Sequence, residues 1–104
     1  PYGDQRRLEV ARAMMTDPKV LMLDEPAAGL SREETAVITE MLSQLRAQGH
    51  SVIIIEHNLS MIMRLCDRVA VLNHGLKIIE GTAAEVRASP AVIEAYIGTR
   101  KVHA

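Results

Sequence analysis

Val20-Leu21-Met22-Leu23-Asp24-Glu25-Pro26 decides how this chain folds. Four apolar residues run without alternation into two adjacent carboxylates, and Pro26 stops the run. Such an unbroken run reads as a strand buried on both faces of a parallel sheet. Asp24 and Glu25 then fall at the strand's carboxyl end, the edge at which open α/β sheets bind ligands. One carboxylate there can hold a hydrated Mg²⁺ while its neighbour orients or deprotonates a water, the pairing that nucleotide hydrolysis needs. A strand followed by an ordinary polar turn is the plainer alternative, because Asp and Pro both punctuate chains.

The flanking sequence favours the first reading. Upstream, Pro1-Tyr2-Gly3-Asp4-Gln5-Arg6-Arg7 leads into a helical pattern of Leu8, Val10-Ala11 and Ala13-Met14. Downstream, Val52-Ile53-Ile54-Ile55-Glu56-His57 is a second apolar strand ending in a carboxylate and an imidazole. With these residues the chain resembles the ATP-binding subunit of an ABC transporter, specifically the carboxyl-terminal half of its nucleotide-binding domain. Pro1 to Gln5 looks like the end of the signature loop, Leu23 to Pro26 like the Walker B motif, Ala27 to Ser31 like the D-loop, and Glu56-His57 like the switch histidine. The order and spacing of these motifs span nearly the whole chain.

Composition bounds the alternatives. The 104 residues suit one small domain, and 48% hydrophobic content is enough for a core. Aromatics are only 2%, Tyr2 and Tyr96, so the core must be aliphatic with Met filling gaps. Twelve basic against thirteen acidic residues give a net charge of −1 without a basic block, and nothing points to nucleic acid as a partner. The single Cys66 excludes an internal disulfide and fits a reducing cytosol. No apolar run approaches the roughly 20 residues that span a bilayer, so membrane association is expected through partner subunits. The chain starts at Pro1 with neither initiator Met nor signal peptide and reads as a fragment.

Helix and strand alternate, which argues for parallel α/β layering. The resemblance implies a partial P-loop NTPase domain of the α/β class, with a mainly parallel sheet flanked by helices. Asp4 is expected to cap a helix to about Thr16, ended by Asp17-Pro18. Strand Val20 to Asp24 follows. Ser31-x-x-Glu34 is a capping box for a helix with Val37-Ile38, Met41-Leu42 and Leu45 inward, closed by Gly49. Strand Val52 to Glu56 precedes a short helix starting at Asn58. Arg68 to Leu72, the turn Asn73-His74-Gly75 and Leu76 to Glu80 read as a carboxyl-terminal hairpin. Gly81 is expected to break the chain, Thr82-x-x-Glu85 to cap a helix to about Ala88, and Ser89-Pro90 to open a last helix that buries Val92, Ile93 and Ile97 and ends at Gly98. Residues 1–98 thus form one domain, incomplete at its amino end, and 99–104 a loose tail.

The resemblance implies roles. Asp24 contacts Mg²⁺, through water, and Glu25 polarises the water that attacks the γ-phosphate of ATP; a positioned base contributes roughly 10²–10⁴ in rate. His57 contacts the γ-phosphate and helps hold the water and Glu25. Glu56 is read as structural, and His50, His74 and His103 as solvated. Pro1, Tyr2, Gly3, Asp4 and Gln5 would face the ATP held by the opposite subunit, with Gly3 and the helix terminus carrying the anion contact. Two departures from the family pattern stand out: Pro1 replaces its usual serine and Tyr2 its first glycine. In the D-loop, Gly29 supplies backbone freedom at a dimer interface, and Ser31 stands where an acidic residue is common. Arg6, Arg7 and Arg12 read as a solvated helix face.

No G-x-x-x-x-G-K-[ST] occurs, so the phosphate-cradling loop is missing and the stretch alone is expected to be inactive. The implied partners are a second ABC ATPase subunit, transmembrane permeases and, indirectly, a substrate-binding protein, at the cytoplasmic face of the membrane. Leu65-Cys66-Asp67-Arg68-Val69, Glu80-Gly81-Thr82 and Val92-Ile93-Glu94-Ala95-Tyr96 resemble the ATPases of branched-chain amino acid importers. A urea or short-amide importer, a non-transport ABC ATPase and an inert fragment stay open as alternatives.

Overall fold

The computed structural model describes residues 2–98, so Pro1 of the signature segment and the tail 99–104 lie outside the described residues. The chain divides into two compact units, the first running to Met61 and the second beginning at Ile62.

In the first unit, α1 (Tyr2–Met14) leads to β1 (Val20–Asp24), α2 (Arg32–Ala47) and β2 (Ser51–Ile55). β1 and β2 pair in parallel, with Val20 opposite Ser51 and Asp24 opposite Ile55, so the two strands end level. α2 begins as expected: Ser31 Oγ accepts the Glu34 N–H at 3.1 Å, and Glu34 Oε1 accepts the Ser31 N–H at 3.0 Å. It ends in a Schellman turn. Gly49, at φ 100°, donates to the Arg46 carbonyl, and His50 N–H reaches the Leu45 carbonyl. His50 is not solvated but half-buried: its Nδ1 lies 2.8 Å from the Pro18 carbonyl, which can only accept, so this nitrogen carries the proton. That bond joins the approach to β1 to the approach to β2.

α1 starts at Tyr2, ahead of Asp4, so Asp4 lies in the first turn rather than at the cap. It pairs with Arg7 at 3.7 Å on an exposed face, where screening leaves little stabilisation. α2 packs against both β2 and α1 and buries Ile38 and Leu42 completely; Val10 and Leu21 are buried as well.

The expectation that both strands are buried on both faces does not hold for this stretch. Leu21 is buried and Leu23, Val52 and Ile54 are partly covered, but Val20, Met22, Ile53 and Ile55 on the other face are 49%, 70%, 50% and 61% exposed. Side chains alternate along a strand, and among the described residues only one face is covered by a helical layer.

α3 (Leu59–Leu65) follows β2, with Asn58 Oδ1 accepting the Met61 N–H at 3.1 Å as its cap. The second unit is built on an antiparallel hairpin, β3 (Arg68–Asn73) and β4 (Leu76–Thr82). His74 and Gly75 both have positive φ, the geometry of a two-residue type I′ turn. Gly81 does not break β4 but pairs with Val69, and a bulge shifts the register between Val71 and Leu72. The Thr82–Glu85 capping box opens α4 (Ala83–Ala88) as expected. Val71, Val86 and Val92 form the unit's core, with Met63, Val69, Ile78 and Ile79 against it. After Ser89 the chain makes one short turn, α5 (Pro90–Val92), and continues as a π-helical segment, Ile93–Gly98. Val92 is buried as expected, Ile93 is 41% exposed, and the side chain of Ile97 is outside those described.

Candidate functional site

Level parallel strands place the residues that leave them side by side. Glu25 N–H donates to the Ile55 carbonyl at 2.7 Å, extending the ladder one step past Asp24. Glu25 itself has φ 49°, a left-handed conformation that costs a non-glycine residue about 1 kcal/mol or more and marks a constrained position. Its Oε1 lies 3.0 Å from His57 Nδ1. A carboxylate oxygen accepts, so Nδ1 carries the hydrogen of this bond. Both side chains are substantially exposed, and the contact orients the two groups more than it stabilises the fold. Asp24 is exposed at the end of β1. The structure therefore brings Asp24, Glu25 and His57 to one edge.

The turn after Glu25 is held from three sides. Arg6 of α1 donates Nη2 to the Ala28 carbonyl at 3.3 Å and Nη1 towards the Glu25 carbonyl at 3.5 Å, so this arginine is part of the edge and not a solvated helix face. Ala27 N–H donates to Glu56 Oε2 at 3.1 Å. Within the turn, Ala28 N–H reaches the Glu25 carbonyl and Leu30 N–H the Ala27 carbonyl. Gly29 has φ 76°, and Ser31 closes the segment by capping α2. Pro26 is fully buried.

The amino end of α1 differs from the expectation of a ready anion site. Gly3 is buried, and its N–H donates to Glu34 Oε2 at 2.8 Å. A Cβ at position 3 would collide with that oxygen, so the close approach uses the absent side chain. Glu34 thereby serves two helices, with Oε1 on Ser31 and Oε2 on Gly3. These N–H groups, Ser31 first and then Gly3, hold its carboxyl below the ordinary glutamate value. Tyr2, Asp4 and Gln5 are exposed in the same turn. Sequence reasoning missed the contacts of Arg6 and the second bond of Glu34, and it read Glu56 as structural without naming the peptide groups it holds. Only the capping-box spacing gave any signal, and it reports one of Glu34's two oxygens.

Comparison with known proteins follows the same lines. A family model described as "ABC transporter" matches residues 1–28, and one described as "Branched-chain amino acid ATP-binding cassette transporter" matches residues 77–102. The chain is 48% identical over 98 residues to the high-affinity branched-chain amino acid transport ATP-binding protein LivG of Salmonella typhimurium, covering 93% of this chain and 38% of that protein. It is 46% identical to the corresponding BraF protein of Pseudomonas aeruginosa, with the same coverage. The chain thus spans 38% of the length of these relatives. Among solved structures, a nucleotide-free ATP-binding cassette from an ABC transporter superposes with a TM-score of 0.82 at 32% identity, over 92% of this chain and 40% of that one. An ADP conformation of an ABC transporter cassette gives 0.81 at 35% identity, over 92% and 39%.

Proposed function

The chain belongs to the ABC transporter ATP-binding family, branched-chain amino acid type, and from that membership we propose that it forms the hydrolytic edge of an ATP-binding subunit that energises uptake of branched-chain amino acids. Residues 1–98 are then the carboxyl-terminal part of a nucleotide-binding domain, and 99–104 its tail.

The observation that carries this reading is the 3.0 Å contact between Glu25 and His57 where two parallel strands end level. Glu25 acts as the general base on the attacking water. With Oε1 engaged by the imidazole, Oε2 is the oxygen that takes the proton. His57 gives Nδ1–H to Glu25 and presents Nε2 to the γ-phosphate region, where it donates to a phosphate oxygen only when that nitrogen is protonated as well. Asp24 suits Mg²⁺: the ion keeps several waters and uses one or two carboxylates plus phosphate oxygens. When bound, Mg²⁺ would neutralise charge on the phosphate oxygens.

The signature segment, Pro1 to Gln5, faces ATP held by a second ATPase subunit, and Gly29 and Ser31 lie at that interface. Glu34 must release the Gly3 N–H before an anion can use it. No described helix is long and apolar enough to cross a membrane. Family membership is what implies attachment to the cytoplasmic face through permease subunits, with a substrate-binding protein acting indirectly. The 104-residue stretch holds no phosphate-cradling loop and is expected to turn over no ATP alone.

The test is His57→Ala in a cassette of the relatives' full length that carries this stretch. Turnover should fall by about 10²-fold or more while ATP affinity stays within a few-fold. Equal losses of binding and turnover would make His57 structural and overturn its role.

A further inference from the structure

Glu56 ends no helix and belongs to neither strand, yet its carboxylate touches both loops of the edge. Oε2 accepts the Ala27 N–H at 3.1 Å, two residues beyond Glu25. Oε1 accepts the N–H of His57 at 3.0 Å and of Asn58 at 3.4 Å. We propose that Glu56 is a positioning residue that locks the Glu25 turn to the His57 turn and so sets the geometry of the carboxylate–imidazole pair.

The proposal rests on the hydrolytic reading of Glu25 and His57. The two side chains come from segments more than thirty positions apart, and beyond the strand ends the ladder reaches only to the Glu25 N–H. Glu25 also sits in a left-handed conformation that its own side chain does not favour, so its turn needs an external restraint. One half-buried carboxylate receiving three peptide donors supplies charge-assisted bonds in two directions at once. Glutamine cannot do the same: its single carbonyl oxygen can serve Ala27 or the His57 turn, and its NH₂ faces donors on the other side. Aspartate is one methylene too short to keep both. Misplacement of a reacting group by about 1 Å can lower a rate by as much as 10²-fold, which sets the size of the expected effect.

The experiment uses the full-length cassette carrying this stretch, with kcat and KM for Mg-ATP measured for Glu56→Ala, Glu56→Gln and, as control, Glu25→Gln. The amide proton of Ala27 is followed by NMR after selective alanine labelling. Glu56→Ala should lower kcat by roughly 10- to 10²-fold with KM within about threefold, and Glu56→Gln should fall between it and wild type. The Ala27 resonance should move upfield in both, because even an amide oxygen that keeps the Ala27 bond is a weaker acceptor than the carboxylate. Should Glu56→Ala fail to fold, Glu56→Gln carries the test with at least about a threefold loss of kcat. A folded variant with kcat within about twofold of wild type, or with KM rising in step with the loss, overturns the proposal. An unmoved Ala27 resonance overturns the bridge whatever the turnover. Wild-type turnover in Glu25→Gln instead overturns the hydrolytic reading, and the Ala27 resonance then separates that failure from a failure of the bridge.

Discussion

At Gly3 two effects of opposite sign meet. Alanine there would push the Glu34 carboxylate aside and lose the bond from the Gly3 N–H, but it would gain about 1 kcal/mol of helix propensity in α1. The displaced atom is the far end of a flexible side chain, so the collision is relieved cheaply. Gly3→Ala should therefore shift the melting midpoint by less than about 5 °C. The Glu34 carboxyl should meanwhile titrate closer to the ordinary glutamate value, because one of the donors that lowers it has gone. Carbon-detected NMR titration of Glu34 checks this. The placement of site residues was legible in the sequence only where chemistry and position coincide. Asp24, Glu25 and His57 stand at the ends of apolar runs, and the strands deliver them to one edge. Arg6 and Glu56 act through side chains that reach peptide groups about twenty to thirty positions away, and no local pattern encodes such reach.

The two helices with capping boxes carry the clearest pH dependence. The Ser31 N–H, then Gly3, lowers the Glu34 carboxyl, and the Thr82 N–H and hydroxyl lower that of Glu85. A group whose folded value is depressed stabilises above its unfolded value, and that contribution is lost as pH falls through the folded value. Stability should therefore decline on acidification below the ordinary glutamate value of about 4.3, and Glu34→Gln should flatten part of that decline in equilibrium unfolding. Ser31→Ala should cost about 1 kcal/mol at neutral pH, read from the denaturant midpoint at unchanged slope. Glu80 is also lowered, first by its Lys77 hydrogen bond at 3.0 Å, but on an exposed surface where salt should weaken the effect. Elements set by local rules were legible: both capping boxes, the Gly49 stop and the His74-Gly75 turn. The start of α1 was not, because Glu34, thirty-one positions away, takes an N–H of its first turn. Nor was the continuation of β4 through Gly81, where cross-strand pairing with Val69 overrides the residue's usual role as a breaker.

For the molecule as a whole, the bare sheet face governs behaviour in solution. Val20, Met22, Ile53 and Ile55 present adjacent exposed apolar side chains on a sheet of only two strands, and both of its outer edges lack a neighbouring strand among the described residues. Such a surface favours association. The isolated 104-residue stretch should self-associate at micromolar concentration, and Met22→Lys with Ile53→Lys should shift it towards monomer in sedimentation velocity. A clean wild-type monomer with a sharp cooperative melt would contradict this. Unbroken apolar runs promised cover on both faces, and the stretch itself covers one. The central claim concerns Glu25, and single-turnover hydrolysis at its own site, in the assembled full-length pair, tests it most directly. Glu25→Gln keeps the size and one acceptor of the carboxylate but cannot take the proton. Hydrolysis should fall by about 10²-fold or more with ATP still bound, and nucleotide should accumulate in a closed dimer. Hydrolysis at the wild-type rate at that site would contradict the account.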